Sequence, residues 1–520
     1  MDLNGYTHSL MLQQLEVKEM LGLPWFKPTP VKILMVTDGG GSFDTGAGFG
    51  LGKVIDAMRS DPWWWTRFDM TTAHRSVGAA YGNPAVPHHN NFRFVGNGFP
   101  AGMNLQQFDQ IWLFGVLPTG VSPLSVPERD ALTTFMNGGG GVFATGDHSD
   151  LGASLCSEIP RVRYMRKWTA GGVAGTPPPV SGPTRHDTLR EGPTAGYQFN
   201  DQSDAVPQMI SPRMYFAGWY PISPWFRKRR PHPVLCGRTG LLNLLPDHMH
   251  EGEIVVPSSV AGNQAEWPTG MAPEIIADAT ILPHSTDGDP VNGKTFGVLG
   301  AYDGHKASVG RIVVDATWHH WFNINLVGFP AASAEYEKIR NYYWNVGLWL
   351  ARPATIQSMF NKAVYGFPWT VVFKELDAKM PIHVLGSYGI DAIGRRASQC
   401  AVSQFLIWRY PRLLRELVWE IEDKFPVPPN PPDPPPFREI YLHEEFAMGG
   451  MLQAMMASFP GHTPPKEMPD ERKLAALVDE GLSAGLKEWT RFTREGAKYA
   501  EKLLHRLQEL GLQEKEMAGV

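Results

Sequence analysis

Short apolar runs alternate with amphipathic stretches along the first part of the chain. "VKILMVT" (31–37) has the length and β-branched content of a buried parallel strand. It ends in Asp38-Gly39-Gly40-Gly41-Ser42, and "GFGLGKVIDAMR" then carries Leu51, Val54, Ile55 and Met58 at helical spacing, so a β-loop-α unit is expected. "FDQIWLFGV" (108–116) reads as a second buried strand. The proline and early acids of "VPERDALTTFMN" mark a helix N-terminus. A glycine run, 138–141, stops that helix and feeds the strand Val142-Phe143-Ala144, after which the chain turns sharply at Gly146-Asp147-His148-Ser149. Ser149 and Asp150 are expected to open the next helix as cap and first-turn acid.

From about residue 160 to 293 this rhythm gives way to glycine, proline and isolated aromatics, as in an insertion or an elaborate loop system. It returns with two strands, "KTFGVLGAYD" (294–303) and "GRIVVDATWHHWF" (310–322), and the helix "EYEKIRNYYWNVGLWLA". Strands alternating with helices predict an α/β fold with a doubly wound, mostly parallel sheet and ligands at the carboxyl ends of its strands. From about 353 the pattern turns helical, interrupted by the polyproline spacer "PVPPNPPDPPPF". The expected organisation is an extension over 1–30, an α/β domain over 31–352, a helical region over 353–425, a linker over 426–437 and a helical tail over 438–520.

In the tail, Leu474, Leu477, Leu482, Leu486, Trp489, Leu503, Leu507 and Leu510 recur at three- and four-residue intervals. Such a stripe packs either against the protein's own body or against a partner helix. A homo-oligomer built through these helices is expected, although Gly481, Gly485 and Gly496 disfavour a long free-standing coiled coil. Trp63-Trp64-Trp65 serves either packing at a helix end or subunit contacts.

A net charge of -5 over 520 residues gives no polyanion-binding character, and the basic run Arg227-Lys228-Arg229-Arg230 is expected as a solvated loop, so no nucleic-acid partner is implied. Cys156, Cys236 and Cys400 are far apart, which argues against a disulfide framework or a zinc-thiolate site. Neither a leader-like segment nor a long apolar span is apparent, so a cytoplasmic protein without a membrane partner is expected.

Four segments concentrate polar chemistry. The glycines of Asp38-Gly39-Gly40-Gly41-Ser42 would expose backbone N–H groups near a helix start and cradle an anionic small-molecule ligand; a tight turn alone accounts for the same residues. At the elbow, Asp147 and His148 would project from the carboxyl edge of the sheet. His319 and His320 follow the last strongly apolar strand, and on an extended segment only one of them should meet the elbow; packed core histidines are the rival reading. In "LPDHMHEGE" (245–253), His248 and His250 would share one side of an extended chain, with Asp247, Glu251 and Glu253 nearby. A divalent metal ion is the cofactor such a set would hold; a satisfied polar loop is the alternative.

At these positions the chain resembles the class I glutamine amidotransferase-like superfamily, most closely its ThuA-like branch, over roughly residues 30–350. "KILMVTDGG", "FDQIWLFGV", "GGGGVFATGDHSD" and "GRIVVDATWHHWF" look like the family's first, central, elbow and late-histidine strands. Gly146-Asp147-His148-Ser149 is similar to the G-I-H-[SA] elbow of that branch rather than to G-x-C-x-G, and "HPVLCGRTGLLNLLPDHMHEGE" is similar to its H-P-[IL]…D-E segment, matching His232, Pro233 and Glu251 or Glu253. The resemblance implies a flavodoxin-like sheet with a pocket at the elbow, and ThuA-like proteins are associated with sugar utilisation. Position 148 lacks the nucleophilic cysteine, and Cys156 is about two helical turns on, so a thiol glutaminase is excluded. Two functions are therefore expected as alternatives. One is a hydrolase or sugar-modifying enzyme with His148 as general base or metal ligand, His319 or His320 as second proton carrier and Asp147 orienting. The other is a non-catalytic ligand-binding or self-assembling protein on the same scaffold.

Overall fold

The computed structural model describes residues 27–60, 65–169, 207–220, 223–237, 240–246, 251–281, 293–331, 333–366, 379–397, 443–459 and 470–517. Trp63, Trp64, Asp247, His248, His250 and the 426–437 spacer lie outside them. The chain divides into two compact units, one formed by Pro28–Met214 with Pro231–Phe360, the other by Met1–Lys27, Tyr215–Arg230 and Asn361–Val520.

The first unit is built on a nine-stranded sheet. Its strands are β1 (Thr29–Thr37), β2 (Thr66–His74), β3 (His88–His89), β4 (Gln110–Phe114), β5 (Gly141–Thr145), β6 (Ser211–Pro212), β7 (Glu274–Thr280), β8 (Thr295–Tyr302) and β9 (Ile312–Asp315), in the order β3-β2-β1-β4-β5-β9-β8-β7-β6. The strands from β3 to β9 in that order pair in parallel, and β8, β7 and β6 extend the sheet antiparallel. The continuous apolar runs are explained by burial on both faces: Ile33, Leu34, Met35 and Val36 of β1, Ile111 to Phe114 of β4 and Val142 to Ala144 of β5 are all 0% exposed.

Helices α1 (Gly52–Arg59) and α2 (Val126–Asn137) follow β1 and β4 in sequence as the pattern predicts. Ser125 and Glu128 close a capping box at the start of α2, and Glu128 also accepts from buried Arg75 at 2.6 Å. The next two helices are α3 (Ala153–Cys156) and α4 (Ala334–Trp349), and α4 buries Tyr342, Tyr343 and Trp344. The region read as an insertion supplies β7 and β6, so part of it belongs to the sheet.

Two local readings are corrected. Ser149 and Asp150 do not open a helix: Ser149 has φ 57°, and α3 starts only after Gly152, whose φ is 92°. The segment holding His319 and His320 is not extended either, because β9 ends at Asp315 and Trp318–His320 forms a single 3-10 turn capped by the Thr317 side chain.

In the second unit, α6 (Ile382–Ala397) and α8 (Glu471–Met517) both pack on α7 (His443–Ser458), while α5 (Pro353–Gly366) runs across the sequence boundary between units. Glycines set the α7 crossings. A Cβ on Gly449 would strike the Ile382 carbonyl, and Cβ atoms on Gly481 and Gly485 would meet the Met451 and Phe446 backbones. Gly481 and Gly485, two of the three glycines that disfavour a long helix, are thus points of backbone contact within one. The strand Ser223–Pro231, paired with Met214–Tyr220, contains Arg227 to Arg230, which is therefore not a loop. Among the described residues, no helix is long and apolar enough to cross a membrane. Cys156 is free and buried.

Candidate acid–base site

Strand β5 delivers the elbow at the carboxyl edge of the sheet. The turn is tight enough that a Cβ on Gly146 would meet the Leu151 carbonyl and crowd Trp168 and Arg166. Within it the Asp147 side chain is 1% exposed and the His148 side chain 21%, so the carboxylate lies beneath and the imidazole reaches the surface. His148 Nδ1 is 3.1 Å from Asp147 Oδ2. With Nδ1–H donating to the carboxylate, the His148 lone pair falls on Nε2, the tautomer suited to a general base.

Distant parts of the chain complete the group. The Thr317 hydroxyl donates to Asp147 Oδ1 at 3.0 Å and accepts from the His319 backbone N–H at 3.1 Å. His319 Nε2 lies 3.8 Å from Asp147 Oδ2, while its Nδ1 lies 2.8 Å from Asn325 Oδ1. Asp147 therefore sits between two imidazoles. Phe49, 44% exposed, sets its ring edge-on to His319 with centroids 5.8 Å apart and forms an apolar wall at that side. The loop after β1 is joined to the same corner: Asn323 donates to the carbonyls of Asp44 and Ala47 at 2.7 and 2.8 Å, and the Asn323 N–H donates to Gly50.

His320 belongs to a separate, fully buried network. Its Nδ1–H donates to Asp315 Oδ1 at 2.6 Å and its Nε2–H to Gln208 Oε1 at 2.6 Å, while Gln208 Nε2 donates to Glu251. Burial alone would lower the His320 pKa, but the Asp315 carboxylate, with smaller help from Glu251 and Asp147, outweighs it and raises the value. Trp321 Nε1 and the Tyr342 hydroxyl complete the shell of Asp315 at 2.9 and 2.7 Å. This is a buried ion pair that fixes the turn carrying His319, so of the two adjacent histidines one faces the elbow and the other anchors the segment.

Below the elbow runs Arg166, fully buried, donating to the carbonyls of Asp147 and Ala316. Burial brings its pKa down to about 10, against the opposing pull of Asp147 and other acids. Cys156 is also fully buried, and burial pushes its thiol well above the usual range, so it offers no thiolate.

The remaining candidates stand elsewhere or serve other roles. Asp38 Oδ1 accepts the backbone N–H groups of Val116 and Leu117 at 2.6 and 3.2 Å, and burial raises its pKa to about 6. The Gly41 and Ser42 N–H groups donate to Gly39 and Phe49 carbonyls, and α1 begins only at Gly52. Gly39 faces Leu117, and Gly40 takes φ 22°, so the segment is organised as a turn rather than as N–H groups at a helix start. His248 and His250 lie outside the described residues; Glu251 is 0% exposed and engaged by Gln208, and Glu253 pairs with buried Lys167 at 2.8 Å. Among the described residues, no group of three side chains is placed to hold a metal ion. His232, buried and pushed down to about 3 by that burial, packs edge-on against Trp349.

Thr317, Asn325, Asp315 and Arg166 complete the site and are not among the residues singled out from sequence. A buried aspartate closing an apolar strand, "IVVDAT", is the signal that could have revealed Asp315. No family model, curated protein or solved structure matches the chain.

Proposed function

We propose that this chain is a hydrolase or sugar-modifying enzyme of ThuA-like type on a flavodoxin-like sheet, with His148 as general base, Asp147 as its orienting carboxylate and His319 as the second proton carrier. One observation carries the reading: the buried Asp147 carboxylate is 3.1 Å from His148 Nδ1 and 3.8 Å from His319 Nε2, at the carboxyl edge of a mostly parallel sheet. In the proposed step, His148 Nε2 takes a proton from water or a substrate hydroxyl as the oxygen attacks. Asp147 stabilises the imidazolium; as the bond to the leaving oxygen breaks, that oxygen takes a proton from protonated His319, and the proton collected by His148 restores the starting protonation state. No step passes through a thiol. A positioned acid–base group of this kind contributes about 10²–10⁴-fold.

The test is a screen of the purified full chain against chromogenic esters and glycosides. Turnover lost in His148→Gln and kept in Cys156→Ala supports the reading, whereas turnover indifferent to His148→Gln refutes it. A self-assembling protein is the second reading, favoured by the apolar side chains that α8 leaves exposed: Tyr499 at 71% and Leu504 at 61%.

A further inference from the structure

In "DTGAGFG" (44–50), the loop between β1 and α1, Phe49 is the only large apolar side chain. The loop is closed at its base, where the Ser42 N–H donates to the Phe49 carbonyl and the Leu51 N–H to the Ser42 carbonyl, both at 2.9 Å. The segment after His320 grips it from the other side. Besides the Asn323 bonds to Asp44, Ala47 and Gly50, Asn323 Oδ1 accepts the Lys53 N–H at 2.8 Å and the Ile324 N–H donates to the Gly48 carbonyl at 2.9 Å. A Cβ on Gly50 would strike the Asp44 carbonyl and the Asn323 amide, so the loop closes tightly there. Phe49 thus stands on a backbone fixed by hydrogen bonds, the setting in which loops carry binding residues.

Two aromatic neighbours define where its ring lies. The centroid is 5.8 Å from His319 and 5.6 Å from Phe322, at interplanar angles of 70° and 71°, and Phe322 is itself fully buried. Neither of these neighbours stacks flat on Phe49, and 44% of the residue stays exposed. Covering the open surface of a ring already held in place costs little ordering entropy and stabilises through area burial and ring–ring contact. Position defines the covering group: His319, which meets Phe49, serves the leaving side in the proposed reaction.

We propose that Phe49 is the platform of a substrate subsite that takes a flat six-membered ring in the leaving group, either an aromatic ring or the C–H face of a pyranose. Assignment to the leaving group rests on the acid–base reading; the ring-binding surface does not. Phe49 transfers no proton. It sets which group is held beside His319.

Benzyl alcohol and methyl β-glucopyranoside, probes of the two ring types, are titrated into the full chain while the ¹³C-labelled His319 Cε1–H signal, assigned with His319→Gln, is followed by NMR. Saturable movement of that signal by at least one probe is expected, with affinity weakened about fivefold or more in Phe49→Ala and kept within about twofold in Phe49→Tyr. Movement by benzyl alcohol assigns an aryl ring, and movement by the glucoside a sugar. No movement with either probe, or equal affinity in Phe49→Ala, overturns the proposal. For the acetyl ester of the bound probe, kcat/KM should fall about fivefold or more in Phe49→Ala, mainly through KM. An unchanged KM overturns the leaving-group assignment. Phe49-dependent probe binding without turnover of any ester or glycoside refutes the acid–base reading and supports the ring-binding surface alone.

Discussion

The Thr317 hydroxyl donates to the Asp147 carboxylate at 3.0 Å across 170 residues of sequence. That bond fixes one carboxylate oxygen, leaving Oδ2 to face His148 and His319. Because the same hydroxyl also accepts the His319 N–H, one side chain sets both the orientation of Asp147 and the start of the turn bearing His319.

Replacing Thr317 with valine keeps the shape but leaves Asp147 Oδ1 and the His319 N–H without this partner. Buried groups left unsatisfied cost about 1–3 kcal/mol each. Thermal or chemical denaturation should show a loss of that order, and kcat should fall with little change in KM if the hydroxyl positions the dyad. Full activity in this variant would show that the positioning is dispensable.

Asp147→Asn has a more specific consequence. With Thr317 donating to the amide oxygen, the NH₂ of the new side chain must face His148 Nδ1, which moves the imidazole proton to Nε2 and removes the base. Turnover should drop by about 10²–10⁴-fold while the fold survives. Circular dichroism together with steady-state kinetics distinguishes this from unfolding.

His320 should behave differently from its neighbour. Breaking its buried pair with Asp315, by His320→Ala or Asp315→Asn, is expected to cost about 3–5 kcal/mol, whereas His148→Gln at the surface should cost little. Since His320 has a raised pKa in the folded state, the pair's contribution is fully present below the ordinary histidine pKa and is lost as pH rises through the folded value. Denaturation of Asp315→Asn against wild type at acid and alkaline pH should therefore show the larger difference at acid pH.

Asp38 gives a second pH signature. Burial raises its carboxyl from 3.8 to about 6, so the folded state holds that proton more tightly than the unfolded chain. This contribution is complete below the ordinary carboxyl pKa and is lost as pH rises to about 6; a two-unit shift corresponds to roughly 3 kcal/mol. Asp38→Asn, measured by calorimetry across that window, should flatten this part of the stability profile. A variant profile parallel to wild type would contradict the assignment.

The central strands were legible because burial on both faces turns them into unbroken apolar runs. Strand β7 was not, because "EIIADAT" interrupts its apolar residues with Asp278, which pairs at the partly exposed side with Arg213 at 2.8 Å. The elbow was visible as glycine, aspartate and histidine after a strand, and one of His319 and His320 was expected to meet it. Their turn was misread as strand because tryptophan and phenylalanine flank it, while Thr317 and Asp315 impose the 3-10 geometry through side-chain bonds that no local periodicity records. Arg166 escaped notice for a similar reason: its role comes from non-local contact with the elbow carbonyl.

His148 can act as the base only if its neutral ring carries the proton on Nδ1 and leaves Nε2 free. Imidazole ¹⁵N NMR of labelled protein at alkaline pH, with His148 assigned by comparison with His148→Gln, reads this directly. Nδ1 in the N–H range and Nε2 in the lone-pair range, exchanged in Asp147→Asn, is the result the Asp147–His148 geometry predicts. A lone pair on Nδ1, or a tautomer unaffected by Asp147→Asn, would contradict it.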